Sequence, residues 1–286
     1  MANKIKGTTS LAGLLGYPVK HSKSPQMHNT AFEALNLDCV YMAFEVEDGH
    51  IKEAVDALKV LNAIGFNVTM PHKNKVVELL DEVSENVKII GSVNTVKNEK
   101  GKLIGYNTDG MGFIKALQEA GVDFRDKKIV MAGAGGAARA VAIQLAFDGA
   151  GEVVIFNRTL SSAEKIVNTI NSNIPSCRGR ALEINEAVLK EELKDAAVLV
   201  NCTSLGMKNS IDQSIVSAPE TLHKGLFVAD IIYDPSKTKL LSIAEEAGCK
   251  TMNGLGMLIW QGAIAFKIWT GQDMPVDLIK RDIFGE

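Results

Sequence analysis

"KIVMAGAGGAARAVAIQL", residues 128–145, reads as a strand, a glycine turn and a helix in direct succession. Gly133, Gly135 and Ala138 fit the pattern G-x-G-x-x-G/A. The first glycine permits a tight turn, the second lets backbone approach a pyrophosphate, and a small third residue lets helix and strand pack closely. The start of the following helix would aim N–H donors at phosphate oxygens. Gly133, Ala134, Gly135, Gly136 and Ala137 are therefore the candidate phosphate cradle. A lone motif of this kind is weak. Here its flanks are right, and a second strand-like run, "EVVIFNR" (152–158), follows the helix.

The end of that second run bears on the choice of dinucleotide. NAD sites usually place Asp or Glu there to hold the ribose 2′-hydroxyl. This chain has Asn157, Arg158 and Thr159, with Asn157 24 positions after Gly133. A guanidinium pairs with a 2′-phosphate through charge-assisted hydrogen bonds, which favours NADP. The alternative is NAD, with Arg158 solvated beside the adenine and Glu164 reaching a ribose.

Outward from this unit, strand-like and helical stretches alternate on both sides. Upstream strand candidates are 11–17, 40–46 and 63–69, with helical spacing in "SPQMHNTAFEAL" and "HIKEAVDALKVL" between them. A hairpin is expected at "SVNTVKN" and "KLIGYN", joined by "EKGK". Downstream strands are expected at 128–132, 153–157, 197–201 and 226–231, with helices at 136–148, 160–171 and 238–247 and a final helical pair at 254–270 and 276–283. Such alternation implies βαβ units and mostly parallel sheets. The predicted fold class is α/β with two α/β domains. Residues 1–108 and 253–286 would form a substrate-binding domain with a mostly parallel sheet, and 109–252 a Rossmann-type dinucleotide-binding domain.

Composition excludes several classes. A chain of 286 residues with net charge −3 has no basic stripe for nucleic acid. Cys39, Cys177, Cys202 and Cys249 are scattered, with neither zinc spacing nor a disulfide framework, so no metal site is expected. Reduced thiols and the absence of a secretory pattern at the N-terminus suggest a cytoplasmic protein. The apolar stretch "GLGMLIWQGAIAFKIW" is interrupted by Gln261 and Lys267 and reads as a core helix, with no role for a membrane.

Three polar clusters lie outside the nucleotide unit: "HSKSP" (21–25), "NVTMPHK" (67–73) and the segment from Ser92 to Gly110. Each follows a strand candidate or opens a helix, and ligands in open α/β sheets gather at the carboxyl ends of strands. Ser22, Ser24, Thr69, Asn94 and Asn107 would suit a polyol, with Lys73 and Asp109 adding opposite charges. Oxidising an alcohol with a nicotinamide requires removal of the hydroxyl proton as hydride leaves carbon. Pro71 suggests a helical first turn, whose dipole would act on Lys73. Blander readings make Ser24 an N-cap, Thr108 or Asp109 the cap of the next helix, and Lys73 a solvated cation. His21, His28 and His72 read as surface or structural groups, and Tyr41, Met42 and Phe44 as core.

The motifs "HSKSP", "NVTMPHK", "GSVNT", "GYNTDG", "GAGGAA", "NRT", "DIIYDPSKTKLL" and "NGLGMLIWQGA" run in order along nearly the whole chain. In this series the chain resembles the shikimate dehydrogenase family, including its quinate/shikimate branch. The resemblance implies reversible reduction of 3-dehydroshikimate to shikimate with NADP(H), in the route to aromatic amino acids. It makes Lys73 and Asp109 the catalytic pair and assigns Ser22 and Ser24 to the substrate carboxylate. Thr69, Asn94 and Gln261 would meet the ring hydroxyls, Tyr233 would lie near the carboxylate, and Gly254 and Gly256 would approach the nicotinamide.

Two departures qualify this. The family's NADP users often carry a second arginine after "NRT", where this chain has Ser161 and Ser162, which keeps NAD in play. The runs "YMAFEV" and "AGCKTMNGLGMLIWQGAIAFKIWTG" look closer to the quinate/shikimate branch. A roomy pocket rejects an added hydroxyl poorly, so activity on both acids is an alternative expectation. A catalytically silent dinucleotide sensor is the alternative from another class. The partners expected are small molecules only, in a monomer or homodimer.

Overall fold

The computed structural model describes residues 5–285, which divide into two compact units. Unit 1 comprises residues up to Thr108 together with Ile259 onward, and unit 2 runs from Asp109 to Leu258. The first boundary falls at Asp109, where α4 begins. The return falls inside a helix at Ile259, a few residues beyond the expected 253.

Unit 1 runs β1 (Ser10–Gly16), α1 (Ser24–Ala34), β2 (Cys39–Glu45), α2 (Ile51–Val60), β3 (Gly65–Val68), β4 (Glu82–Val83), α3 (Glu85–Ile90), β5 (Thr95–Glu99) and β6 (Lys102–Tyr106). Its sheet has the order β2-β1-β3-β5-β6-β4. β1 is parallel to β2 and β3, and β6 to β4, whereas β5 is antiparallel to both β3 and β6. β1 is an interior strand, flanked by β2 and β3, and its last five residues are buried, hence its nearly unbroken apolar run. α2 buries Ile51, Val55 and Leu58, a spacing that gives one apolar face. The β5–β6 hairpin closes through Lys100 and Gly101, both at positive φ, the two-residue turn whose twist matches paired strands.

Two apolar layers flank this sheet. Leu15, Val55, Leu58, Phe66, Val68 and Val96 belong to one buried cluster. An aromatic group of His28, Phe32, Tyr41, Phe266 and Trp269 forms another, with His28 stacked on Tyr41 at a centroid distance of 4.4 Å. Phe266 and Trp269 come from the helix spanning Leu255–Thr270, and the Trp269 indole N–H donates to the Val96 carbonyl over 2.9 Å. Met42, expected in the core, is 48% exposed because β2 is an edge strand and this residue faces outward.

Unit 2 runs α4 (Asp109–Glu119), β7 (Lys128–Ala132), α5 (Gly136–Phe147), β8 (Glu152–Asn157), α6 (Leu160–Asn173), β9 (Arg178–Glu183), α7 (Glu186–Leu193), β10 (Val198–Asn201), β11 (Phe227–Asp230), α8 (Lys239–Glu246) and β12 (Lys250–Met252). The helix Leu255–Thr270 is α9, and Val276–Ile279 is α10. The second sheet is parallel throughout, in the order β12-β11-β10-β7-β8-β9. The strand order reverses between β7 and β10, the place where doubly wound sheets bind dinucleotides. β10 and β11 are buried along their full length, as expected for strands covered on both faces.

β9 and β12, absent from the expected strands, are the two edges of this sheet. Edge strands face solvent and carry charge rather than an apolar run. Arg180 of β9 bonds Glu152 at 2.8 Å and also pairs with Glu192, which Lys128 meets at 2.7 Å. This partly buried ion network ties β7, β8, β9 and α7 together.

Candidate active site

The register of the first sheet explains why distant polar clusters converge. β1, β2 and β3 are parallel and end at Gly16, Glu45 and Val68. Asn67 pairs with Thr95 at the start of β5, and Thr95 pairs with Tyr106 at the end of β6. The segments 17–24, 69–73, 92–94 and 107–108 therefore all emerge at one edge of one sheet. Ser22, Ser24, Thr69, Lys73, Asn94 and Asn107 lie on them.

Hydrogen bonds join several of these residues. The Asn94 side-chain oxygen accepts the Thr108 backbone N–H at 2.8 Å, and its Nδ2 donates to the Thr108 hydroxyl at 2.9 Å. Asn107 donates through Nδ2 to the Ser92 carbonyl at 3.0 Å. Asn67 donates through Nδ2 to the Asn94 carbonyl and to Thr95 Oγ1, each at 3.0 Å, and accepts the Tyr41 phenol proton at 2.7 Å. The Ser24 hydroxyl reaches the same phenol oxygen, while burial pushes the Tyr41 pKa well above its ordinary value and keeps the phenol protonated. Tyr41, Asn67, Asn94, Thr95 and Thr108 are all buried, so the network sits in low dielectric, where satisfied bonds hold one geometry.

Two local expectations change. Ser24 is the first residue of α1 rather than its cap, and Lys23 holds the cap position without a side-chain bond. The Ser24 backbone N–H instead donates to Ser22 Oγ at 3.2 Å. Thr108 occupies the position just before α4, which opens at the buried Asp109, and its hydroxyl accepts from Asn94 Nδ2 at 2.9 Å. Lys73 is not inside a helical first turn. The His72 N–H closes a turn onto the Thr69 carbonyl at 3.0 Å, and only a short 3-10 helix, Lys75–Leu79, follows. No long helix dipole acts on Lys73, so that rationale fails. Its backbone is nevertheless fixed, because the Val93 N–H donates to the Lys73 carbonyl at 2.8 Å. The buried ring of its neighbour His72 bonds the Val46 carbonyl through Nε2 at 2.6 Å.

Gln261 lies on α9, next to Gly262, whose Cα faces Met27 and His28 of α1. A groove of about 690 Å³ opens beside α1 and β2, lined by residues including Gln26, Asn29, Glu33 and Asp38. None of the residues predicted for the site lines it.

In unit 2 the glycine turn lies where the motif requires. Gly133 follows β7 with φ +104°, and a Cβ there would meet the Cys202 carbonyl oxygen at 2.7 Å. Both conformation and contact demand glycine. Gly135 caps α5 in extended backbone that any residue can adopt, and a Cβ on Gly135 or Gly136 would meet nothing within 4 Å. The protein itself does not require glycine at either position. Open space at a helix N-terminus is what a pyrophosphate needs, so the residues fit the cofactor. Ala138 is fully buried, as close packing of helix on strand requires. At the end of β8, Asn157 donates through Nδ2 to the Thr159 carbonyl at 2.9 Å, shaping a turn on which Arg158 is exposed.

Asp230 ends β11 and is fully buried. It accepts bonds from Asn201 at 3.1 Å, Thr238 at 2.8 Å and the Ile232 backbone at 3.0 Å. Burial raises its pKa, and those three donors oppose the rise. The node fixes both ends of the loop that carries Tyr233, which is 39% exposed. Gly254 donates from its N–H to the Ile232 carbonyl at 2.9 Å, and a Cβ there would stand 2.0 Å from the Ile231 carbonyl oxygen. Gly256 faces Ala116 of α4, where a Cβ would meet the alanine methyl at 3.0 Å. No group of metal-ligating side chains occurs among the described residues, and no helix among them is long and apolar enough to cross a membrane.

Known proteins match along the whole chain. Residues 14–96 match the shikimate dehydrogenase substrate binding domain, 115–233 shikimate / quinate 5-dehydrogenase, and 254–282 the shikimate 5'-dehydrogenase C-terminal domain. The shikimate dehydrogenase (NADP(+)) of Alkaliphilus metalliredigens is 56% identical over 286 residues, all of both chains. The chain belongs to the shikimate dehydrogenase family. Among solved structures, shikimate 5-dehydrogenase from Listeria monocytogenes, in complex with shikimate and NAD, superposes with a TM-score of 0.95 at 45% identity, covering 98% of each chain. Quinate dehydrogenase from Corynebacterium glutamicum, in complex with NAD, gives 0.88 at 29% identity over 97% of this chain and 99% of its own. The two-domain α/β fold is thus that of the family.

Residue reasoning missed Tyr41 and Asn67 as polar members of the site. From sequence Tyr41 reads as core, because it sits in an apolar strand, and its ring is buried. The signal that could have found them is the buried asparagine itself: Asn67 lies in a strand otherwise free of side-chain donors, and a buried amide needs partners.

Proposed function

We propose that the protein is a shikimate dehydrogenase that interconverts 3-dehydroshikimate and shikimate by hydride transfer with NADP(H), supplying aromatic amino acid synthesis. The observation that carries this reading is the gathering, at one edge of the first sheet, of the serine, threonine, asparagine and lysine residues a polyhydroxy acid requires. In it Ser22 and Ser24 take the carboxylate, Thr69, Asn94 and Gln261 the ring hydroxyls, and Tyr233 lies near the carboxylate. When bound, the cofactor would supply the acceptor for hydride leaving the carbinol carbon. Lys73 and Asp109 handle the proton of the carbinol oxygen, removing it as the carbon–oxygen bond becomes a carbonyl and returning it in the reverse direction. Gly133, Ala134, Gly135, Gly136 and Ala137 cradle the pyrophosphate, and Gly254 and Gly256 approach the nicotinamide. Asn157, Arg158 and Thr159 surround the adenosine ribose, with Arg158 on a 2′-phosphate.

Lys73→Ala tests the reading: turnover of shikimate should fall by about a thousandfold, within the range expected for loss of a proton-transfer group, while NADP+ still binds. Retained turnover removes Lys73 from the chemistry. An NAD-linked enzyme acting on both shikimate and quinate is the second reading, favoured by Ser161 and Ser162 in place of a second arginine. Assaying both acids against both cofactors separates the two. If neither shikimate nor quinate reduces either cofactor, what remains is a different dehydrogenase on a similar two-domain plan or a non-catalytic dinucleotide sensor.

A further inference from the structure

Tyr41 lies at the meeting point of two arms of the substrate edge. One arm is Ser24, whose hydroxyl reaches the phenol oxygen. The other runs from the phenol proton to Asn67 Oδ1 at 2.7 Å, then from Asn67 Nδ2 to the Asn94 carbonyl and Thr95 Oγ1 at 3.0 Å each. Thr95 in turn donates to Asn94 Oδ1 at 3.0 Å. The ends of this arm are groups with one possible role. The Asn94 carbonyl can only accept, and the Thr108 N–H, 2.8 Å from Asn94 Oδ1, can only donate. Asn67 must therefore turn its oxygen to Tyr41, and Asn94 must turn its oxygen to Thr108 and Thr95.

We propose that Tyr41, acting through Asn67 and Thr95, is a positioning residue that holds Ser24 and Asn94 in the arrangement that binds the hydroxylated carboxylic acid. The inference rests on the shikimate reading above. The phenol ring is not the operative part, since it packs against His28 at 4.4 Å and Trp269 at 6.0 Å. The operative part is its single oxygen, which Tyr41→Phe removes while leaving the ring in place.

The test compares steady-state kinetics of the full chain and its variants with shikimate and NADP+. Tyr41→Phe should raise the shikimate KM about tenfold, the effect of losing one buried positioning bond, and leave the cofactor KM within about twofold. Thr95→Val should weaken shikimate binding in the same sense, and Thr95→Ser, which keeps the hydroxyl, should restore it. Leu58→Ala, a core truncation in the same unit, controls for general loosening and should leave the shikimate KM unchanged. A wild-type shikimate KM in Tyr41→Phe, a Thr95→Ser variant as impaired as Thr95→Val, or an equal rise in Leu58→Ala overturns the proposal. These outcomes leave the proposed function standing if Lys73→Ala is inactive. Failure of the wild type to oxidise shikimate defeats the proposed function itself.

Discussion

Lowering the pH should destabilise unit 1 through one buried imidazole, His28. The ring is 1% exposed and stacked among Tyr41, Phe266 and Trp269, and its Nδ1 has no hydrogen-bond partner. Burial lowers its pKa from 6.5 to about 3. The native state therefore stays unprotonated through a range in which the unfolded chain binds a proton. Stability is unaffected above pH 6.5 and falls as the pH drops below it, until the native ring titrates near 3. The slope in that window is about 1.4 kcal/mol per pH unit, so the loss between pH 8 and pH 5 is about 2 kcal/mol. His28→Phe keeps a flat ring against Tyr41 and cannot titrate. Its absolute stability will differ from wild type by a constant repacking term, which cancels when the two pH values are compared within each protein. Both tryptophans, Trp260 and Trp269, belong to unit 1, so indole emission during urea unfolding reports on the unit that contains His28. The wild type should lose about 2 kcal/mol more than His28→Phe on going from pH 8 to pH 5. Parallel losses in the two proteins refute the argument, because they mean the native ring either titrates normally or is not sealed from water.

Four further outcomes follow from the geometry. Gly135→Ala should fold with an unchanged melting temperature, since the new methyl meets nothing within 4 Å, yet raise the NADP+ KM at least about tenfold by occupying the cradle. Gly254→Ala should do the opposite kind of damage: a methyl 2.0 Å from the Ile231 oxygen forces backbone apart, and thermal unfolding should show a loss of more than about 3 kcal/mol. Trp269→Phe leaves the buried Val96 carbonyl without its 2.9 Å partner and should cost about 2 kcal/mol in urea unfolding followed by circular dichroism. Arg158→Ala should lower kcat/KM for NADP+ about tenfold or more while sparing NAD+, as loss of a charge-assisted bond predicts; equal effects on both cofactors remove Arg158 from 2′-phosphate recognition.

The parts of the fold legible in the sequence were those dictated by local chemistry. The glycine turn after β7 could be read because Gly133 must take positive φ against the Cys202 carbonyl. The β5–β6 hairpin could be read because Lys100 and Gly101 form a turn few residue pairs allow. β9 and β12 were illegible for the complementary reason. They are edges: β9 is held by ion pairs, both strands pair with partners distant in sequence, and nothing in "RGRALE" or "KTM" alone distinguishes strand from loop. The turn holding Lys73 was misread because Pro71 fits a helical first turn equally well. What decided between the two was the Val93 N–H on the Lys73 carbonyl, a contact from another strand connection.

The same distinction governs the site. Single residues such as Ser24 and Asn94 announce hydrogen-bonding capacity, but capacity has no direction until the partner is known. Asn94 could have offered a ligand either an acceptor or a donor. The Thr108 N–H and the Thr95 hydroxyl take its side-chain oxygen, and those partners reach it only because β5 pairs antiparallel with β6 and with β3. Strand register thus carries chemical information that composition cannot. A sheet slipped by one residue would keep every polar side chain in the chain, yet would exchange their faces and leave the edge without its common polarity.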